Sequence, residues 1–153
     1  MMKTESAGQK EDRRASVNHL QESLVAERTE MLVLFCRVAG LEPYTDEQNK
    51  ESAASALQHF CQVMVDYIAA GHFSLYERIA NGVERRKKVA DLAAELYPRI
   101  AETTEVALDF NDKYDSIDHY DLSDSLSRDL SKLGEELAVR VELEDQLLQA
   151  MVR

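Results

Sequence analysis

Apolar residues recur every three or four positions along four stretches of the chain, which is the period of an amphipathic helix. No stretch alternates apolar and polar residues for more than a few positions, so the sequence predicts no strand. The pattern therefore predicts four long helices. Their apolar positions are Leu20, Leu24, Met31, Phe35 and Val38; Leu57, Cys61, Met64 and Ile68; Val89, Leu92, Leu96, Ile100, Ala107, Phe110 and Tyr114; and Leu122, Leu126, Leu130, Leu133, Leu137, Val141 and Leu148.

Start and stop signals divide the first half of this pattern. The first helix is predicted from about Ser16 to Gly40, a residue that commonly ends a helix. Thr45 and Gln48 have the spacing of a capping box, which predicts the start of the second helix. Gly71 is placed where this second helix ends or kinks.

Further signals divide the second half. Ser74 and Glu77 form another capping-box pattern, which predicts a short helix over 73–80 that stops at Asn81-Gly82. Pro98 predicts a kink or a restart in the third long helix. The last helix is predicted from about Asp121.

The predicted fold class is all-α: an antiparallel four-helix bundle with an additional short helix packed on its side. The chain of 153 residues contains only five Gly and two Pro, which favours long helices with short connections. The polar residues 1–15 are expected to form a flexible N-terminal segment, and residues 16–153 a single helical-bundle domain.

Charge and composition restrict the partners. The formal net charge is −11, so direct binding to nucleic acid, which depends on cations, is not expected. No apolar run approaches the length of a membrane span, and we expect a cytoplasmic protein. Cys36 and Cys61 are expected to be buried, reduced thiols.

The sequence contains no motif for catalysis, a cofactor or a metal. A di-iron helical bundle needs Glu three residues before His, and none of the four His residues has this neighbour. Phosphate-binding, dinucleotide-binding and nucleophile-elbow motifs are also missing. We expect no enzyme activity, no cofactor and no metal. A small-molecule or metal-binding bundle is the alternative, with Asp66, His72 and Glu144 as its polar candidates.

Two charged residues interrupt apolar stripes. Arg28 falls between Leu24 and Met31 on the first helix, and Glu144 falls between Val141 and Leu148 on the last. Opposite charges at core positions of neighbouring helices predict a buried structural ion pair. A polar pocket inside the bundle is the functional alternative.

Acidic residues are concentrated in the C-terminal third. From Glu102 to Asp124 an acid recurs every three or four residues, and Lys113 is the only Lys or Arg among them. A solvated helix face explains this pattern as well as a docking surface for a cationic partner does.

One block of the sequence resembles a known family. Residues 65–79 read VDYIAAGHFSLYERI, which is similar to the Rsd/AlgQ family of bacterial anti-sigma regulators. A tryptophan expected near Leu24 is missing. The remaining positions that carry the resemblance are Phe60-Cys61-Gln62, Gly40 to Pro43, Leu133-Gly134-Glu135, Arg140 and Leu143-Glu144-Asp145.

The resemblance implies a protein that binds the housekeeping, sigma-70-class subunit of RNA polymerase, chiefly at region 4. Such binding keeps the sigma factor from core polymerase and from the promoter in stationary phase. The expected partner-binding residues are Asp66, His72, Phe73, Tyr76 and Glu77. A regulatory adaptor that binds another protein, such as a stringent-response enzyme, is the alternative.

Overall fold

The structure is a computed structural model that describes residues 6–40, 53–80, 86–115 and 124–152. Within these ranges the chain is all-helical and contains no strand, as the apolar period predicts. The described residues form four long helices, with two shorter elements between the second and the third. The elements are α1 (Ala7–Ala39), α2 (Ala53–Gly71), a five-residue π turn (His72–Tyr76), α3 (Glu77–Ala80), α4 (Lys87–Tyr114) and α5 (Asp124–Val152).

Helix α1 begins earlier than the sequence predicted. The Ser6 hydroxyl accepts from the Gln9 N–H while the Gln9 side chain accepts from the Ser6 N–H, which is a complete capping box. The predicted start at Ser16 was wrong because it rested on apolar periodicity, and the first buried residue is Val17. The predicted end is confirmed: Gly40 adopts a left-handed φ of 73°.

Helix α2 ends at Gly71, as predicted, but the chain does not leave the helical path there. Gly71 has helical dihedral angles (φ −61°, ψ −44°), and the chain continues without interruption into the π turn and α3. The Glu77 N–H donates to the His72 carbonyl, five residues back, so Ser74 lies inside a helical turn and does not start a new helix. Gly71 therefore ends α2 without breaking the helical path of the chain.

Helix α4 runs through Pro98 as one element, so a restart at this residue is ruled out. Pro98 and Ala94 lie exposed, where the Ala94 carbonyl that lacks its usual N–H donor can bond to water. The predicted Thr45–Gln48 capping box, the Asn81-Gly82 stop and Asp121 lie outside the described residues.

The apolar core is shared by all four long helices. Its aromatic centre joins α1, α2 and α4: the Phe60 ring lies 5.8 Å from Phe35 and 6.1 Å from Phe110, centroid to centroid. Helices α1 and α4 each pack against both α2 and α5. A hydropathy search of the described helices finds no segment that could span a lipid bilayer.

Candidate protein-interaction site

The two charged residues that interrupt apolar stripes are brought together in the core. Glu144 on α5 is fully buried, and its Oε1 lies 3.5 Å from Nη2 of Arg28 on α1. On its other side, Oε2 lies 3.2 Å from Nε of Arg140, one turn earlier on α5. One buried carboxylate thus lies between two guanidinium groups.

Tyr67 links this ion pair to α2. Its hydroxyl donates to Oε1 of Glu144 and accepts from Nε of Arg28 at 3.0 Å. Burial and the negative charge of Glu144 raise the pKa of Tyr67 above its ordinary value. Tyr67 therefore stays protonated, and its hydroxyl donates a hydrogen bond to the carboxylate.

Asp145 completes the charge balance of this cluster. Nη1 of Arg28 donates to Oδ1 of Asp145 at 2.8 Å, where the carboxylate is half exposed. Although burial lowers the pKa of Arg28, its bonds to Tyr67 and Asp145 raise it above the ordinary value. Two arginines and two carboxylates leave no net charge inside the protein, so the buried ions are compensated.

Arg140 is the member that sequence reasoning missed. It is 1% exposed, and its Nη1 donates to the hydroxyls of Thr103 at 3.2 Å and Thr104 at 2.7 Å on α4. The signal was present, since Arg140 follows Leu133 and Leu137 on the apolar stripe of α5 and precedes Glu144 by one turn. We call Arg28, Tyr67, Arg140 and Glu144 the buried polar network.

This network reaches the π turn through Gly71. A Cβ atom on Gly71 would lie 3.0 Å from Oε2 of Glu144 and 3.9 Å from Nη2 of Arg140. The absent side chain allows α2 to approach the carboxylate closely. The buried polar network therefore lies directly behind the start of the π turn.

The outer side of the same segment carries the predicted partner-binding residues. Phe73 is 64% exposed, and its ring centroid lies 5.3 Å from that of His72. Nε2 of His72 lies 4.0 Å from Oε1 of Glu77, with both side chains about half exposed. Asp66, near the end of α2, is exposed and accepts from the Gln62 amide at 3.1 Å. We call Asp66, His72, Phe73 and Glu77 the ledge.

Tyr76, the fifth predicted binding residue, lies beneath the ledge. It is 7% exposed, its ring centroid is 6.2 Å from that of His72, and its hydroxyl has no hydrogen-bond partner among the described residues. Burial and the charge of Glu144 raise the pKa of Tyr76. Tyr76 supports the exposed rings from below and is not itself accessible.

The polar candidates for a metal or small-molecule site are not brought together. Glu144 is buried in the polar network, whereas Asp66 and His72 lie exposed on the ledge. Within the described ranges no group of three or more His, Cys, Asp or Glu residues is arranged to hold a metal ion.

The described part of the acidic stretch lies on the outer face of α4. Glu102, Glu105, Asp109 and Asp112 are all exposed there. Glu102 shares the guanidinium of Arg99 with Glu136 of α5, at 3.2 Å and 2.7 Å respectively. The acidic face is thus partly neutralised at its N-terminal end.

Comparison with known proteins gives one consistent result. The chain matches the family described as "Regulator of RNA polymerase sigma(70) subunit, Rsd/AlgQ" over residues 1–152. It is 37% identical over 135 residues to "Regulator of sigma D" of Yersinia pseudotuberculosis serotype O:1b (strain IP 31758), covering 86% of this chain and 79% of the relative. The protein of the same name from Shigella boydii serotype 4 (strain Sb227) is 34% identical over 133 residues, covering 86% and 82%. No solved structure matches the chain.

Proposed function

Because the chain belongs to the Rsd/AlgQ family of regulators of the RNA polymerase sigma-70 subunit, we propose that it is an anti-sigma factor. It binds the sigma-70-class subunit chiefly at region 4, the domain that reads the promoter −35 element. Binding withholds sigma from core polymerase and from the promoter, and regulates transcription in stationary phase. The proposed function is stoichiometric and non-catalytic, and it operates in the cytoplasm.

The exposure of Phe73 is the observation that best supports the ledge as the binding surface. A phenylalanine ring that is 64% exposed has not been buried by folding, although each buried aromatic ring contributes strongly to stability. Aromatic rings at the centre of an interface supply much of its binding energy. The π turn that carries this ring is a rare conformation, and such turns occur frequently at functional sites.

Charge supports a cationic partner at this surface. A domain that reads DNA carries Arg and Lys for phosphate contacts, and this chain has a formal net charge of −11. Glu77 places a carboxylate 4.0 Å from His72, whose ring packs against Phe73, and the exposed carboxylate of Asp66 lies seven residues before Phe73. A basic surface of sigma that would otherwise face DNA is therefore electrostatically complementary to the ledge.

The buried polar network also supports the ledge as the binding surface, because it holds the segment that bears the ledge in place. Helices α1, α2 and α5 meet at Glu144, directly behind Gly71, so the segment that bears the ledge is held by several polar contacts. A surface that is already ordered loses little conformational entropy on binding.

The proposal includes the arrangement of the helices as an antiparallel four-helix bundle. Contacts between α1 and α5, and between α4 and the segment formed by α2 and the π turn, run in opposite directions, which supports it. Near one end, Arg13 of α1 donates to the Met151 carbonyl of α5, and farther along α1 Phe35 packs against Gly134. On the other side, Phe60 of α2 meets Phe110 of α4, while Tyr76 meets Tyr97.

Direct binding to purified sigma tests the proposal. The full chain is expected to bind an isolated sigma region 4 fragment and the intact sigma-70-class subunit with similar affinity. A truncated sigma without region 4 is the matched control and is expected to bind much more weakly. Capture of a stringent-response enzyme in place of either sigma form would overturn the proposal in favour of the adaptor alternative.

A further inference from the structure

The ledge is one half of a larger aromatic surface, whose other half lies on α4. We infer that Tyr97 contacts the sigma subunit directly and extends the binding surface from the π turn onto α4. This inference rests on the proposed function and adds a residue and an element that the sequence pattern did not select.

A continuous series of rings joins the two elements. Phe73 packs edge-on against His72, and the His72 ring centroid lies 6.2 Å from that of Tyr76. The Tyr76 ring in turn meets Tyr97 at 5.9 Å with an interplanar angle of 73°. The two outer members of the series, Phe73 and Tyr97, are exposed, and Tyr76 is buried between them. The four rings therefore form one continuous cluster across the π turn and α4, and its two ends, Phe73 and Tyr97, are exposed.

The exposure of Tyr97 is not explained by the fold. Within the described residues six large apolar side chains are exposed, and only Phe73 and Tyr97 among them are aromatic. Tyr97 is 47% exposed, although it lies on a helix whose other aromatic residues, Phe110 and Tyr114, are buried. Both exposed rings belong to the same series, so one binding partner can cover both.

The face of α4 around Tyr97 leaves room for a partner. One and two turns before it, Ala94 and Ala90 are exposed, and neither side chain is large enough to screen the ring. The charged residues nearest to Tyr97 on the exposed side of α4 are acidic: Asp91 and Glu95 precede it, and Glu102 follows. An incoming helix can therefore reach Tyr97 over the two alanines, and the acidic side chains beside them suit a basic partner.

Charge complementarity identifies the chemistry of the partner. Asp66 and Glu77 provide carboxylates at the ledge, whereas the nearby cation of Arg99 is already paired with Glu136 at 2.7 Å and Glu102 at 3.2 Å. The surface as a whole suits a helix that presents an apolar side chain to Phe73 and Tyr97 and is flanked by Arg or Lys. The proposed partner, region 4 of sigma, reads DNA, and domains that read DNA carry Arg and Lys for phosphate contacts.

Substitution of Tyr97 tests the contact. In titrations with purified sigma region 4, Tyr97→Ala is expected to weaken binding about tenfold, as loss of an interface aromatic does. Tyr97→Phe keeps the ring and is expected to bind within about twofold of wild type. Leu108→Ala, which removes a side chain of the same helix that is 41% exposed, is the matched control and is expected to leave the affinity unchanged.

A fluorescence variant tests the same contact without weakening it. The chain has no Trp, so Tyr97→Trp introduces the only one in this protein. Its emission is expected to shift to the blue on addition of region 4, relative to the summed spectra of the separate proteins. Leu108→Trp is the control and is expected to show no shift.

The outcomes separate this inference from the proposed function. If region 4 binds wild type but neither Tyr97→Ala nor Tyr97→Trp responds, then α4 does not contact sigma, and the inference is overturned while the proposed function stands. If wild type does not bind region 4 at all, both are overturned.

Discussion

The buried polar network and the ledge lie on opposite sides of one short segment of α2 and the π turn. Their charged groups have different environments. Inside, Glu144 is enclosed by Arg28, Arg140 and the Tyr67 hydroxyl. Outside, Phe73 and the carboxylate of Asp66 face solvent. Compensated ions hold helices together, whereas exposed rings and acids remain available to a partner. The comparison predicts that substitutions inside change stability and substitutions outside change binding.

Removal of the central carboxylate gives the largest expected effect. Glu144→Gln keeps the shape of the side chain but leaves the guanidinium groups of Arg28 and Arg140 without their shared counter-charge. Breaking a buried ion pair from one side costs about 3–5 kcal/mol. We expect the free energy of unfolding, measured by urea denaturation, to fall by about this amount.

Glu142→Gln is the matched control for this substitution, because Glu142 lies on the same helix and is exposed. A surface change of this kind is expected to alter the free energy of unfolding by no more than about 0.5 kcal/mol. Equal effects of the two substitutions would show that the carboxylate of Glu144 does not hold the helices together.

The second-largest effect is expected at alkaline pH, where the titration of buried groups lowers the free energy of unfolding. Burial raises the pKa of Cys61 from an ordinary 9.0 to about 12. Below pH 9 the thiol is protonated in both the folded and the unfolded chain, so its contribution to stability is complete. Above pH 9 only the unfolded chain releases this proton, and stability falls by about 1.4 kcal/mol per pH unit until the folded thiol ionises.

The raised pKa values of Tyr67 and Tyr76 act in the same direction at higher pH, above their ordinary value of 10.0. Urea denaturation at a series of pH values between about 8 and 11 measures the slope. Cys61→Ala is expected to lose the part of the slope that begins near pH 9 and to keep the part that begins near pH 10. An identical slope in wild type and variant would contradict the role of Cys61.

Salt is expected to weaken the binding of sigma to the exposed, acidic surface of the protein. The Debye length falls from about 10 Å at 0.1 M ionic strength to about 3 Å at 1 M. Attraction between the acidic chain and a basic sigma surface is then screened, and we expect the affinity for sigma to fall about tenfold over this range, mainly through a slower association rate. Binding measured by surface plasmon resonance gives both rates, and a flat response would show that the acidic excess does not contribute to recognition.

The smallest expected effect concerns Gly71, where the segment that bears the ledge meets the buried polar network. Gly71→Ala places a methyl group 3.0 Å from Oε2 of Glu144, so the carboxylate has to move within the buried polar network. We expect a net loss of about 1 kcal/mol in unfolding free energy, despite the better helix propensity of alanine. Gly8→Ala in α1 is the control, since a Cβ there meets nothing within 4 Å, and a small gain in stability is expected.

Much of the fold and part of the site could be predicted from the sequence. Arg28 and Glu144 were found because each replaces an apolar residue in a regular stripe. Gly71 was correctly predicted as the end of α2, but its close approach to Glu144 was not, because a glycine that ends a helix and one that allows close approach look alike in sequence. Only the position of Glu144 in space separates the two.

The start of α1 and the exposure of Tyr97 were missed for a related reason. The capping box at Ser6 precedes the first apolar position, so periodicity gives no signal there. Tyr97 lies next to the apolar stripe of α4, and its exposure depends on how α4 packs against the π turn. That packing is a tertiary property that no local pattern contains.

The affinity of paired substitutions for sigma region 4 tests the central claim most directly. The variant with Asp66→Ala and Phe73→Ala removes an acid and an apolar side chain from the ledge, and the variant with Glu105→Ala and Leu108→Ala removes the same kinds of group from the acidic face of α4. With circular dichroism and urea denaturation showing both variants folded, we expect the first to lose at least about tenfold in affinity and the second to bind as wild type does. Wild-type affinity in the first variant together with weakened binding in the second would contradict the account and move the sigma-binding surface to the acidic face of α4.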